Sequence, residues 1–341
     1  MSGAVGIMDA YWERFLAVEP LFATAVGDAR FDDVLPDPSA VGRAERQRVH
    51  SGLLEAAAGI DASGLDPEER RTLLLAGALA RRELGCLTHN LDRLWAVGHM
   101  PIGHRHGPGL LLGVMAFQQP AATASQRAAY LRRLAAFPAY LQAVAANAAE
   151  GLASGVVASR AVVTRTIGQV ERLLATPVAD SPGLAPLEMG GDQERSRGVE
   201  VLRERVYPAY ARFLEVLRDY LPRAQESLGL GALAGGEEIY RSEVLGWTTL
   251  PLEPDVVHRL GREQLQQVQE QRMAVARRLG HADPAEAVAA LEGSAGRAAG
   301  VPGGDPGAYP RSGRPLLGCA AGLVRPAPWA QLRGDAGRPR P

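Results

Sequence analysis

Between Leu65 and Gly98 the apolar positions of LDPEERRTLLLAGALARRELGCLTHNLDRLWAVG fall at Leu73, Ala76, Ala80, Leu84, Leu87, Leu91 and Leu94. Steps of three and four residues place them on one helical face, and the pattern predicts a stripe sustained to Leu94. The start is also written in the residues. Asp66 suits an N-cap, Pro67 the first helical position, and Glu69 the reply of a capping box. TASQRAAYLRRLAAFPAYLQAVAANAAEGLASG repeats the device with Thr123 and Gln126, and its internal Pro138 predicts a break near Phe137.

Further helices are predicted from Ser159 through Leu174, over 192–221 with a bend at Pro208, and over 254–279, opened by Pro254 and closed by Gly280. Asp283, Pro284 and Glu286 start another. Gly and Pro cluster at 27–38, 98–109, 177–191 and 228–236, which read as loops. Alternating β-branched runs are nearly absent. The fold class is all-α, a multi-helix array with no repeat of fixed period.

After Gly293 the periodicity dissolves. Residues 294–341 contain ten Gly and eight Pro, with seven Arg against two Asp, while the first 293 residues carry thirty Arg against thirty-six acids. Such a composition does not offset the entropy of ordering. The chain therefore divides into a helical domain over 1–293 and a disordered Gly/Pro/Arg-rich tail over 294–341.

Composition removes several functions. All thirty-seven basic residues are Arg, so a P-loop, which needs its Lys, and Schiff-base chemistry are excluded. A formal charge of −1 predicts no general affinity for nucleic acid or an anionic membrane. No apolar run approaches the ~18 residues of a membrane span, and the N-terminus lacks a basic segment followed by an apolar core. The expectation is a cytoplasmic protein. Cys86 and Cys319 form neither a disulfide framework nor a zinc pattern, and Cys86 reads as a small buried thiol.

Candidate chemistry is sparse. His99, His104 and His106 lie close together in GHMPIGHRHGPG, but no nearby acid or Cys completes a metal site, so a solvated or capping loop is expected. Gly229, Gly231 and Gly235 match a dinucleotide pattern loosely. They follow a helix rather than a strand, which points to a loop. Glu68–Glu69 and Glu237–Glu238 suit helix starts. His258, one turn below Pro254, reads as a core or interface histidine. No G-x-S-x-G or H-E-x-x-H occurs. No catalytic, cofactor-binding or metal-binding residue is assigned.

Three stretches taken in order carry a resemblance. They are PLFATAVGDARFDDVLPDPS (Pro20 to Ser39), the segment from Tyr130 to Ala175, and the segment from Glu237 to Gly280. Their order resembles the N-terminal half of the bacterial domain-of-unknown-function 885 family over about residues 8–292. The resemblance implies a scaffold similar to helical zinc metallopeptidases. It places the H-E-x-x-H-type zinc segment, and any peptide substrate, in a second half carried by full-length members.

No ligand or base is transferred by the resemblance, and this chain is expected to be inactive and to hold no cofactor. The Gly/Pro/Arg vocabulary after residue 293 predicts a frameshift there, followed by a chance stop. The rival is a genuinely short chain with a basic tail. The alternative function is a non-catalytic helical protein-interaction module, whose partners the sequence leaves unknown.

Overall fold

The computed structural model describes residues 3–93 and 107–298. Among these the α-helices are α1 (Gly3–Val18), α2 (Pro20–Ala25), α3 (Ala40–Ala58), α4 (Pro67–Thr88), α5 (Pro108–Gln118), α6 (Ala124–Ala135) and α7 (Phe137–Ser154). They continue as α8 (Arg160–Ala175), α9 (Gly191–Val201), α10 (Tyr207–Tyr220), α11 (Gly236–Thr248), α12 (Pro254–Arg278) and α13 (Pro284–Ala298). The described residues contain no strand; one pair, Ser159 and Gln225, bridges in β fashion. The fold is all-α.

The caps behave as written in the residues. Asp66 accepts from Glu68 and Glu69 N–H groups and Glu69 reaches back, while Thr123 and Gln126 form the same reciprocal pair. Pro138 sits in the first turn of α7, directly after α6 ends, so the break falls where the missing N–H costs nothing. The 192–221 pattern is interrupted by a wide turn over Leu202–Val206, immediately before Pro208. Gly280 leaves α12 at φ +82°, a left-handed stop.

Three expectations are corrected. The stripe of α4 does not run to Leu94: the helix ends at Thr88, Asn90 takes φ +55°, and Leu91–Arg93 forms a short 3₁₀ turn. His258 is exposed on α12, not in a core. Helix α13 continues to Ala298, past the expected loss of order at 294. Its cap explains the extension's anchor, since Asp283 Oδ1 accepts from Ala285 N–H (2.7 Å) and Glu286 N–H (3.0 Å). The remainder of the 294–341 segment lies outside the described residues.

The chain forms two compact units, residues 1–261 and residues from 262 on. In the first, α1, α3 and α4 pack around Tyr11, Phe15, Leu16, Val49, Leu53 and Ala80. Helices α5 to α10 surround a larger core that includes Tyr130, Leu134, Phe137, Val144, Val170, Leu187, Tyr210 and Leu217. Its buried phenols close chain ends: Tyr130 donates to Gly183 O (2.8 Å) and Tyr210 to Pro108 O (2.7 Å). The second unit buries Ala276 and Ala287.

One glycine is required by contact rather than by conformation. A Cβ on Gly42 would lie 2.1 Å from the Asp37 carbonyl oxygen. Gly42→Ala must displace backbone, and we expect a loss of about 2 kcal/mol. Urea titration would show it as a lower midpoint at unchanged slope. An unchanged midpoint would contradict the close approach.

Candidate functional site

The segment Pro20–Ser39 is the structural centre of the first unit. Gly27 turns at φ +90°, and Asp28 then caps the turn Ala29–Phe31 by accepting from Arg30 N–H. Arg30 holds the Asp28 carboxyl below the usual carboxylate range, chiefly through its side-chain hydrogen bonds. These exposed contacts shape the loop; its inward side meets a buried cation.

That cation is Arg133 on α6, which is 1% exposed. Its Nε donates to Val34 O (2.9 Å) and Nη1 to Gln119 Oε1 (2.7 Å). Nη2 donates to Thr24 Oγ1 (2.8 Å) and Phe31 O (2.5 Å). The Thr24 hydroxyl in turn donates to Asp32 Oδ1 (2.7 Å), and Gln119 Nε2 to Asp32 O (3.2 Å). Burial pushes the Arg133 guanidinium down to about 10, opposed by the charges of Asp32 and Asp33, so it stays protonated at neutral pH.

A second network begins at Pro38, the residue after the same segment's Asp37. Asn147 on α7 donates to Pro38 O (2.7 Å) and accepts from Arg93 Nη1 (2.9 Å). Arg93 also pairs with Asp92 (3.2 Å) and Glu150 (2.8 Å). Arg43 of α3 pairs with Asp92 from the other side and donates to Asn90 Oδ1 (3.0 Å). That bond accounts for the left-handed Asn90, whose side chain is held where the chain leaves α4.

A third cluster joins α1 and α3. The Tyr11 hydroxyl lies 3.2 Å from His50 Nδ1, and His50 is 1% exposed. Burial, with smaller contributions from Arg46 and Arg82 against that of Glu19, lowers the His50 imidazole to about 4, so it is neutral at pH 7. Burial also raises the Tyr11 phenol, so both members of the pair are neutral at pH 7.

Chemically these groups hold the chain in place. The carboxylate Asp92 is spent on arginines, His50 is enclosed, and Cys86 is buried with its thiol pushed up by burial and by the Glu243 carboxylate. Among the described residues no group of three or more His, Cys, Asp or Glu could hold a metal ion. The zinc implied by the family resemblance therefore does not fit the residues described, and no step is derived through it. His99, His104 and His106 lie outside the described residues, as does Cys319.

Gly229 precedes the 3₁₀ turn Leu230–Ala232, Gly231 lies within it, and Gly235 (φ +71°) precedes α11, so the glycine pattern serves a loop. Glu68 and Glu69 occupy the first turn of α4, and Glu237 and Glu238 that of α11. Sequence reading singled out none of Arg133, Arg46, Asp92 or His50. The signal was present for two of them. Arg133 falls in register with Tyr130, Leu134 and Phe137, and Arg46 with Val49, His50 and Leu53. A charge inside an apolar stripe marks a buried charge.

No helix among the described residues is long and apolar enough to cross a membrane. A family model described as "Bacterial protein of unknown function (DUF885)" matches residues 20–306. The match runs beyond residue 293, where the sequence pattern had predicted the resemblance to stop. No curated protein matches the chain. A solved structure, that of a protein provisionally classed as a lipoprotein from Colwellia psychrerythraea, superposes with a TM-score of 0.72 at 16% identity. The superposition covers 83% of this chain and 52% of that one, so the chain spans about half the length of its solved relative.

Proposed function

We propose a function from one premise: the chain belongs to the DUF885 family of bacterial proteins of unknown function. On that premise it is the helical first part of a larger, hydrolase-like protein. It is a wall that supports a cleft rather than the part that performs chemistry. A peptide substrate and zinc belong, in this reading, to the complete form.

The observation that carries the reading is the outer face of α5. Leu111, Leu112, Met115 and Ala116 are buried, yet Leu110, Val114 and Phe117 line the opposite side at 36%, 47% and 91% exposure. A surface helix normally presents polar residues to water. An apolar stripe on both faces supports a role in which further polypeptide covers it. Nearly half of the solved relative lies outside the superposition.

The test uses the purified chain with zinc and a mixture of short peptides. No cleavage is expected. Zinc-dependent cleavage that a chelator abolishes would sink the claim that the chemistry lies elsewhere. Environment-sensitive dye should bind strongly, and Val114→Gln with Phe117→Gln should roughly halve the signal. Weak dye binding by the unaltered chain together with a cooperative melt would favour the alternative, a self-sufficient interaction module.

A further inference from the structure

The buried arginines of the first unit differ in one respect. Arg133 has acceptors on all three nitrogens, and Arg93 and Arg43 share Asp92. Arg46, on the turn of α3 after Arg43, is 5% exposed. Among the described residues it has no ion pair and no hydrogen bond, and its Nε is fully enclosed without a partner. Its terminal nitrogens keep a sliver of accessible surface, since they are not among the enclosed, unbonded atoms.

The surroundings make this lone cation harder to tolerate. Arg43 and Arg93 take Asp92 and Glu150 as their partners, so neither of these acids is bonded to Arg46. The charge of Arg46 is felt by His50 and by Tyr140 on α7, a buried phenol for which no hydrogen bond is formed among the described residues. A buried, unpaired guanidinium is costly, whereas one bonded to an anion is not. A single uncompensated charge calls for a monoanion. The fork of two terminal nitrogens matches the two oxygens of a carboxylate.

We propose that Arg46 is the cationic end of a carboxylate-binding subsite on α3. This assignment stands apart from the hydrolase reading, because it rests on the buried, unbonded guanidinium of Arg46 alone. The carboxylate is either a small free acid or the C-terminus of a peptide. Both present the same group to the guanidinium.

Thermal melts of the full chain in sodium acetate and in sodium chloride at equal ionic strength test it. Acetate is expected to raise the wild-type midpoint by about 3 °C or more over chloride. Arg46→Met is expected to melt no lower than wild type in chloride and to show no acetate effect. Acetyl-dialanine and its C-terminal amide separate the sources. Stabilisation by the acid alone assigns a peptide terminus; stabilisation by acetate without an added effect of the peptide acid assigns a small acid.

The wild-type chain supplies a second readout that needs no variant. The His50 ring signals should titrate at higher pH in acetate than in chloride, because a bound anion offsets the charge of Arg46. Equal midpoints in the two salts, with unchanged His50 titration, would overturn the proposal. So would an acetate effect that Arg46→Met retains.

Discussion

Arg133→Met is expected to lower the unfolding free energy by about 4 kcal/mol. The side chain joins α6 to the Pro20–Ser39 segment through Val34 O, Phe31 O, Thr24 and Gln119. Met fills similar volume, so little of the loss comes from a cavity. Most comes from acceptors left without donors and from Asp32, 3% exposed, left without the positive charge of Arg133. Asp32 Oδ2 already lacks a hydrogen bond within the structure, so its charge has little other compensation.

The double variant Asp32→Asn with Arg133→Met should recover part of the loss, because no buried charge then remains. A double-mutant cycle by urea denaturation reads the coupling directly. A single-variant loss below about 1 kcal/mol, or strict additivity, would show that Arg133 does not carry the junction.

Acidification is expected to remove about 3 kcal/mol through His50 alone. The imidazole has an unfolded value near 6.5 and a folded value of about 4, so the folded state is the one that binds the proton less readily. Its contribution is therefore complete above pH 6.5 and is lost as the pH falls from 6.5 through 4. The largest cause is burial; the positive charges of Arg46 and Arg82 act in the same direction and Glu19 against it.

His50→Gln retains a partner for Tyr11 but has no proton to take up. The slope of stability against pH between 6.5 and 4 should fall in this variant by close to one proton. Parallel pH profiles for the two chains would refute the assignment. Carboxylates elsewhere also titrate near pH 4, and the difference between the chains removes their shared contribution.

These two effects lie where sequence reading was least informative. Caps and breaks at Asp66, Thr123, Pro138 and Gly280 were legible because each acts within one helical turn, through a local hydrogen bond or a missing one. The end of α4 was not. Leu91 and Leu94 keep the helical spacing, but Asn90 is drawn out of it by Arg43, 47 residues away in the chain. The same holds for His258, whose place on an amphipathic pattern could not say that the helix face would stay exposed.

By itself, then, the amino-acid order determined the all-α class, most helix starts and the family resemblance. All of these rest on spacing and on interactions within a few residues. Of the expected loops, 98–106 lies outside the described residues and 177–191 is mostly 3₁₀ turns. Only the tertiary structure decided which charges are buried and with whom: Arg133 with the Pro20–Ser39 segment, Asp92 between Arg43 and Arg93, and Arg46 with no bonded partner among the described residues. A side chain's partner depends on which distant helices meet around it. Whether burial makes a charge a clasp or an open site is settled by that meeting and not by its neighbours in the chain.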